Sequence, residues 1–391
     1  IRSRRKDFEL RMSKQDTLPT DDQYALVAAT VPEIDAPALP YMPPAIDRDV
    51  RLAIIGCGGI ASTHLAAYQS RGWKVVAFCD IDKNRAQSRA DQFFPDALVT
   101  DNPEDIFALD NLDAIDIATH TRHRPPLIKR AIECGHHVLS QKPFVTDIQT
   151  GSEMISLAKQ NGVMLCVNQN GRFAPHFSYI RELVTSGTLG SITGIHTQLH
   201  WNHTWIAGTP FAQMRDIVLY DFAIHWFDFV ASLLPADVDV TVTAFRGEPR
   251  VDLGLPALEA TAVAEWPGGR ATMSFDAGCV YGSGDSTTVI GTEGSVSTTG
   301  PDGGTQEVTL NLAAGRAKPA LNGKWFNDGF AGTMAELLDA STTGRVARNG
   351  AEGNLRSLML CFAAIESADT GKPVKMGSVT RLPAGAIPEN A

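Results

Sequence analysis

Three side chains in this sequence have the chemistry and spacing that proton transfer requires. Lys142 closely follows the short strand-like segment 137–140, which places it at the end of a strand. Asp221 and His225 are four residues apart and share one face if their segment is helical. An amine, a carboxylate and an imidazole can together move a proton near neutral pH, because imidazole titrates there. Two other interpretations stay open: a surface lysine at a strand end, and an N-capping Asp followed by a core His.

A glycine-rich turn, Gly56-Cys57-Gly58-Gly59-Ile60-Ala61, follows an apolar strand and opens a helix. The first glycine of this pattern allows a tight turn, the second lets the backbone approach a pyrophosphate, and the alanine lets helix and strand pack closely. The free N–H groups and the dipole at the helix start then favour an anion. The turn therefore predicts a dinucleotide site, although an unrelated α/β protein can also contain such a turn.

Asp80, at the end of the next strand, indicates which dinucleotide is bound. A carboxylate at this point can accept hydrogen bonds from both ribose hydroxyls. It also repels the 2′-phosphate of NADP, and the residue that follows is not an arginine. We therefore predict NAD rather than NADP. The residues expected at the cofactor from this motif are Gly56, Gly58, Gly59, Ile60, Asp80 and Ile81.

The order of predicted elements places these motifs in an α/β protein with two domains. From residue 50, short apolar strands alternate with helices, which is typical of a doubly wound parallel sheet covered on both faces. After about residue 170, alternating strands and glycine-proline turns predict an α+β domain with a large, mostly antiparallel open sheet. We predict an extended Pro-rich arm over 1–48, a Rossmann domain over 49–168, and a substrate-binding and oligomerisation domain over 169–391. The arm is disordered, reaches a neighbouring subunit, or covers its own cofactor.

Composition excludes several classes of function. The formal net charge of −10 argues against a surface for nucleic acid or for anionic lipid. No apolar run is long enough to span a membrane, and the basic start of the chain lacks the apolar region of a signal peptide. The six cysteines form no CxxC pair, which is typical of reduced thiols in a cytoplasmic protein.

Taken together, the motifs resemble those of the Gfo/Idh/MocA oxidoreductase family over roughly residues 50–370. The resemblance rests on the glycine turn, Asp80, Gly135-His136-His137-Val138 leading into Gln141-Lys142-Pro143, and the Asp221-x-x-x-His225 pair. It implies a Rossmann domain followed by an α/β domain whose open sheet mediates dimers or tetramers. It also implies that Lys142, Asp221 and His225 are the catalytic residues.

One departure from the family pattern is Gln141, which stands where the family usually has Glu. A glutamine can still hydrogen-bond the cofactor ribose. It removes a negative charge beside Lys142, and with it an interaction that favours the protonated ammonium. The resemblance further implies cofactor contacts from Thr119, His120, His123, Gln141, Lys142 and Asn170.

The segment Trp201-Asn202-His203-Thr204-Trp205 alternates aromatic rings with hydrogen-bonding groups, which suits a sugar. Aromatic core packing is the alternative. We expect Arg172, His203 and Trp205 to line the substrate site with the catalytic residues, although Arg172 is equally suited to a structural ion pair. His196, His200 and His203 have no accompanying carboxylate or Cys, so we predict no metal site.

These features predict an NAD-dependent dehydrogenase, a homodimer or homotetramer, that acts on a neutral sugar or cyclitol. His225 would remove the hydroxyl proton, Lys142 would stabilise the oxygen, and Asp221 would position a hydroxyl or orient His225. His225 and Lys142 could exchange these roles. A pentose such as apiose is one candidate, suggested by the arm and by Trp-Phe-Asn-Asp at 325–328. Two alternatives are a glycoside hydrolase that uses bound NAD without net turnover, and a non-enzymatic sugar-responsive regulator.

Overall fold

The first domain is a parallel sheet of short apolar strands with helices on both faces. The computed structural model describes residues 31–388, and within them this sheet has six strands. They are β1 Arg51–Ile55, β2 Lys74–Cys79, β3 Leu98–Thr100, β4 Ala114–Ile117, β5 Val138–Gln141 and β6 Leu165–Asn168. Their order, β3-β2-β1-β4-β5-β6, is that of a Rossmann sheet, and its pairs are parallel. The predicted doubly wound sheet is confirmed.

Polar caps and glycines set the ends of the helices around this sheet. The helices are α1 Ala61–Ser70, α2 Lys83–Phe93, α3 Pro103–Phe107, α4 Arg124–Glu133 and α5 Ile148–Gln160. The side chain of Asp82 accepts a hydrogen bond from the Asn84 N–H at the start of α2, and Asp147 caps α5 in the same way. Gly135 follows α4 with a φ of 81°, a conformation that favours glycine and ends the helix. Each helix thus ends where the chain turns back, and the next parallel strand starts from the same edge of the sheet.

The second domain is an open sheet with one buried face. Within the described residues it has nine strands: β7 Ile192–His200, β8 Thr241–Arg246, β9 Glu259–Trp266, β10 Gly269–Asp276, β11 Gly284–Gly291, β12 Gly294–Asp302, β13 Thr305–Leu312, β14 Gly315–Ala317 and β15 Val374–Lys375. Only the β7–β10 pair is parallel among these, so the predicted mostly antiparallel sheet is confirmed. Along β9, side chains alternate between buried and exposed, as expected when helices cover one face.

Four helices follow residue 169, and the last two of them join the two domains. The four are α6 Pro175–Thr185, α7 Ile224–Leu233, α8 Asp328–Thr343 and α9 Ala351–Thr370. Helix α8 contacts α1 and β6, and its Phe330 and Met334 belong to the same apolar cluster as Leu52 and Leu139 of the first sheet. The boundary near residue 169 therefore separates the two sheets in sequence, but the core of the first domain includes a helix from beyond that boundary.

The described part of the predicted arm lies against the second domain of its own chain. Ile34 donates its backbone N–H to the Arg316 carbonyl on the edge strand β14, at 2.9 Å. The Tyr179 hydroxyl donates to the Pro37 carbonyl, and the Ser178 hydroxyl to the Tyr41 carbonyl. Residues 32–34 thus pair with a sheet edge that would otherwise present unpaired backbone groups. This part of the arm is ordered against its own chain, a contact with a neighbouring subunit stays a prediction, and residues 1–30 lie outside the described residues.

The buried acid Asp285 on β11 makes the stability of this domain depend on pH. It is 3% exposed, and its Oδ2 has no hydrogen-bond partner among the described residues. Burial and the nearby Asp302 carboxylate raise the pKa of Asp285 to about 7. Between about pH 4 and about pH 7, the native state therefore holds one proton more than the unfolded state. The contribution of Asp285 to the free energy of unfolding is fully present below about pH 4 and is lost as the pH rises to about 7.

We expect Asp285→Asn to be more stable than the wild type at about pH 8, by up to about 4 kcal/mol, and to differ little at about pH 4. The amide mimics the protonated acid and cannot acquire the buried charge. Thermal unfolding at the two pH values measures this, with the exposed Asp252→Asn as a matched control. An Asp285→Asn variant that is less stable than wild type at pH 8 would overturn this explanation.

Candidate active site

Lys142 and Asp221 form an ion pair where the two domains meet. Strand β5 ends at Gln141, so Lys142 leaves the carboxyl edge of the parallel sheet, where ligands bind in such folds. Lys142 Nζ donates to Asp221 Oδ1 at 3.1 Å and to the Asp221 backbone carbonyl at 2.9 Å. Their side chains are only 14% and 21% exposed, so the pair is shielded without being sealed from solvent. The structure thus brings two of the three predicted catalytic residues into direct contact.

The segment that carries Asp221 and His225 is not one continuous α-helix. A wide π-helical turn spans Val218–Phe222, and α7 begins after it at Ile224. In this turn the Ala223 N–H donates to the carbonyl of Val218, five residues back. Such turns interrupt helices at functional sites more often than elsewhere. Here the turn presents both the carboxylate and the backbone carbonyl of Asp221 to Lys142.

His225, in the first turn of α7, is held by a buried amide. Gln169 Nε2 lies 3.0 Å from His225 Nδ1, and Gln169 Oε1 lies 3.3 Å from Asn354 Nδ2. Burial and the nearby Lys142 ammonium hold the pKa of His225 well below its ordinary value, and Asp228 opposes them only in part. The imidazole is therefore neutral at neutral pH. Sequence reasoning missed Gln169 and Asn354, because a lone amide carries no spacing signal.

The glycine turn has the shape that a pyrophosphate needs. Gly56 has a φ of 98°, and an added Cβ would lie 2.7 Å from the Thr119 backbone nitrogen. At Gly58 and Gly59 an added Cβ would meet no protein atom within 4 Å, so the turn faces open space at the start of α1. A Cβ there would fill the space in which a bound phosphate approaches the backbone. The turn therefore fits the predicted dinucleotide.

Asp80 is tied to this turn by its carboxylate. Its Oδ2 accepts from the Cys57 N–H at 2.8 Å, and its Oδ1 accepts from the Asp82 N–H at 2.9 Å. Arg85 lies 3.5 Å from the same Oδ1. A carboxylate has about four lone-pair positions, so one remains for a ribose hydroxyl in this arrangement. Asp80 thus both fixes the turn and borders the cofactor site.

The other predicted cofactor residues lie around the same edge of the sheet. Thr119 follows β4 against Gly56, and its buried Oγ1 has no partner among residues 31–388. Exposed side chains at this edge are Ile60, Ile81, His120 and His123. Asn170 is buried, and its Oδ1 accepts from the Trp325 indole at 2.6 Å, so it positions this ring.

Arg172 is a structural cation. Its Nε and one terminal nitrogen donate to the two oxygens of Asp228, at 2.8 and 2.7 Å, and its other terminal nitrogen donates to the Arg348 carbonyl. Burial alone would raise the pKa of Asp228, but the Arg172 guanidinium holds this pKa below its usual range. All three guanidinium nitrogens have partners within the protein, which supports the ion-pair interpretation, and the substrate contact of Arg172 stays a prediction.

Aromatic side chains form a wall beside Lys142 and Asp221. His203 stacks on Trp201 with ring centres 5.7 Å apart, and it lies 4.2 Å from the ring of Phe222, the neighbour of Asp221. Burial lowers the pKa of His203, so this ring is also neutral at neutral pH. Trp205 packs against His203 and is 59% exposed, which places it at the rim. His203 therefore lies beside the Lys142–Asp221 pair.

Trp325 closes the other side of His225. Its ring centre lies 5.2 Å from that of His225 in an edge-to-face arrangement, and it also contacts Trp226 and Trp201. An added Cβ at Gly171 would lie 3.1 Å from the Trp325 ring, so the chain at this position leaves no room for a side chain. The ring is almost fully buried and shapes the wall of the site.

Two family models match the chain in the same order as its two domains. Residues 50–169 match the model described as "Oxidoreductase family, NAD-binding Rossmann fold", and residues 177–297 match the "GFO/IDH/MocA C-terminal domain". The chain therefore belongs to the Gfo/Idh/MocA family of NAD-binding oxidoreductases. The predicted family, enzyme class and NAD cofactor are confirmed.

Named relatives in this family are sugar and inositol dehydrogenases. The chain is 23% identical to a D-apiose dehydrogenase of Rhizobium rhizogenes, over 85% of this chain and 99% of that protein. It is 24% identical to inositol 2-dehydrogenase 4 of Saccharopolyspora erythraea, over 86% of this chain and 98% of that protein. An Agrobacterium radiobacter oxidoreductase, solved with NAD+, L-tartaric acid and magnesium, has the same fold. Its TM-score is 0.74 at 21% identity, over 85% of this chain and 99% of that one.

Among the helices of residues 31–388, none is both long enough and apolar enough to cross a bilayer.

Two glycines of the turn allow its fit to the cofactor to be tested separately from its fold. We expect Gly58→Ala to retain the wild-type unfolding temperature and to weaken NAD binding at least about tenfold, because its Cβ enters the phosphate space. Gly56→Ala should instead destabilise the fold by roughly 1–3 kcal/mol, because its backbone is left-handed and its Cβ meets Thr119. Calorimetric titration with NAD and thermal unfolding separate the two. Undiminished NAD binding by Gly58→Ala would show that the pyrophosphate lies elsewhere.

Proposed function

We propose that this protein oxidises a hydroxyl-bearing carbon of a neutral sugar or cyclitol with NAD, and catalyses the reverse reduction. The observation that carries this proposal is the placement of Lys142, Asp221 and His225. The Lys142 ammonium, bound to Asp221, stands at the carboxyl edge of the NAD-binding sheet, and burial together with this charge lowers the pKa of the His225 imidazole. A cation beside a neutral imidazole suits the removal of a proton from an alcohol.

Lys142 has one N–H left for a substrate. Of its three N–H groups, two point to Asp221, one to the carboxylate and one to the carbonyl. The third donates to the substrate oxygen and stabilises the negative charge that develops there as the proton leaves. Asp221 thus holds the ammonium in place, and it keeps the site from carrying an uncompensated buried cation.

His225 accepts the hydroxyl proton. Gln169 Nε2 lies against His225 Nδ1, and Asn354 Nδ2 against Gln169 Oε1. Exchanging nitrogen and oxygen in both amides keeps these heavy-atom positions, and Gln169 Oε1 then accepts from His225 Nδ1–H while Gln169 Nε2 donates to Asn354 Oδ1. This arrangement leaves Nε2 of the ring with a free lone pair. Bound NAD supplies the hydride acceptor. The substrate carbon then becomes a carbonyl, and the proton remains on His225 until it reaches solvent.

The walls of the site favour a polyhydroxylated substrate without charge. Trp201 and His203 offer a flat stacked face, and Trp201 Nε1 and His203 Nδ1 are buried with no partner among the described residues. Flat apolar faces edged by unused polar groups suit the C–H face and the hydroxyls of a sugar. The dehydrogenases named for D-apiose and inositol support this class. Among sugars we propose a pentose such as apiose as the first candidate.

The uncovered face of the second sheet supports a homo-oligomer. Phe245 on β8 and Ile290 on β11 are 62% and 38% exposed on a broad sheet surface. Exposed apolar side chains on such a surface are typical of protein–protein contacts. We propose a homodimer or homotetramer assembled through this face.

The test is absorbance at the reduced-nicotinamide band with NAD and a panel of aldoses, pentoses and cyclitols. We expect turnover with one subset of the panel and a loss of at least about 100-fold in Lys142→Ala, because the oxygen loses its cation. The exposed Lys129→Ala on α4 is the matched control and should behave as wild type. NAD binding retained by Lys142→Ala excludes a collapsed site.

No change in absorbance with any compound of the panel would contradict the proposal. If NAD also co-purifies, is not consumed and supports the cleavage of a glycoside, the activity is redox-assisted hydrolysis. Sugar binding without turnover of either kind would assign a sugar-responsive regulator.

A further inference from the structure

A buried chain of hydrogen bonds runs behind the active site, from α1 to the end of β5. His64 on α1 and Asp116 on β4 are both fully buried, and Nδ1 of the imidazole lies 2.6 Å from Asp116 Oδ2. The Tyr68 hydroxyl donates to the same oxygen at 2.6 Å. None of these three residues lines the site described above. Such a polar cluster in a core requires that its donors and acceptors match.

The protonation of His64 follows from the backbone of Lys142. The Lys142 N–H can only donate, and it lies 2.7 Å from Gln141 Oε1, so this atom is the amide oxygen. The amide nitrogen of Gln141 must then face His64 Nε2, at 3.3 Å, and a second amide nitrogen, of Asn168, lies 3.0 Å from the same atom. His64 Nε2 is therefore the acceptor, and the ring carries its proton on Nδ1, towards Asp116.

We propose that His64 and Asp116 are positioning residues that require a hydrogen-bond donor at residue 141 and thereby hold Lys142 in the active site. The inference rests on the proposed function, in which Lys142 acts on the substrate oxygen. Asp116 fixes the proton on Nδ1 of His64, and Nε2 then accepts from Gln141. The other end of the Gln141 amide accepts from the backbone N–H of Lys142, the residue whose ammonium contacts Asp221.

This chain explains why an amide and not a carboxylate occupies position 141. A glutamate there would turn an oxygen towards the lone pair of His64 Nε2. The repulsion ends only if the cluster binds one more proton, on the ring or on a carboxyl group, and without that proton two carboxylates are buried around one neutral ring. A buried charge that is not matched by a partner is strongly unfavourable. A carboxylate at position 116 therefore requires an amide at position 141.

The same chain reaches the second half of the molecule. Asn168 Oδ1 accepts from the Thr333 hydroxyl on α8 at 2.9 Å, and the Phe330 ring of that helix lies 4.9 Å from the His64 ring. Residue 141 is thus held against a helix that packs between the domains. A change in the polarity of this chain moves Lys142 relative to Asp221, which lies in the second domain.

The experiment compares four proteins: wild type, Gln141→Glu, Asp116→Asn and the double variant. We expect Gln141→Glu alone to lower kcat at least tenfold and to lower the unfolding temperature. In the Asp116→Asn background, the factor by which Gln141→Glu lowers kcat should be at least tenfold smaller than in the wild-type background. The asparagine amide at position 116 can donate to His64 Nδ1, and the ring can then donate from Nε2 to the new carboxylate at position 141. Gln160→Glu, an exposed site on α5, controls for the added charge. NAD affinity is measured in the same four proteins. A lower kcat with unchanged NAD affinity indicates a displaced Lys142, whereas weaker NAD binding indicates a loss of cofactor.

Nuclear magnetic resonance of ¹⁵N-histidine protein, with His64→Gln to assign the signal, reads the tautomer directly. We expect the His64 proton on Nδ1 in the wild type and on Nε2 in the double variant. A wild-type proton on Nε2, or an equal cost of Gln141→Glu in both backgrounds, would overturn the inference. The tautomer and the unfolding temperatures need no substrate, so they stand even if the proposed dehydrogenase activity fails.

Discussion

The contact between the Lys142 ammonium and Asp221 constrains the arrangement of the whole molecule. The lysine comes from the end of a parallel strand, and the aspartate comes from a π-helical turn of the other domain. With most of both side chains buried, neither charge is tolerated alone, so the two domains must meet in one relative position. The aromatic wall, the low pKa of His225 and the remaining N–H of Lys142 all depend on that position.

Apolar packing holds the domains in this position. Helix α8 contributes Phe330 and Met334 to the core of the first domain, while α9 contacts α5 of the first domain and α7 of the second. Removing such surfaces from water gives the non-directional part of the stability. The Arg172–Asp228 pair and the Asn170–Trp325 bond add the directional part beside the site.

Much of the fold was predictable, because strand length, alternation and turn residues are local signals. The Rossmann order and the open sheet are confirmed, and Lys142 and Asp221 do meet. The π-helical turn was not predictable, since a spacing of four fits a helix and a π-turn equally well. The His64 chain was not predictable either, because its partners Asp116 and Asn168 lie 52 and 104 residues away. Arg172 could be assigned to its ion pair only once Asp228 was placed beside it.

In the proposed reaction, a neutral His225 accepts the substrate proton beside the Lys142–Asp221 pair. The pH dependence of kcat/KM for sugar oxidation, from about pH 5 to about pH 9, tests it most directly. Because burial and Lys142 hold the pKa of His225 well below its ordinary value, the ring stays neutral on acidification. We expect kcat/KM to stay level through the ordinary imidazole range near pH 6.5 and to fall only at lower pH. A fall centred near pH 6.5 would contradict it.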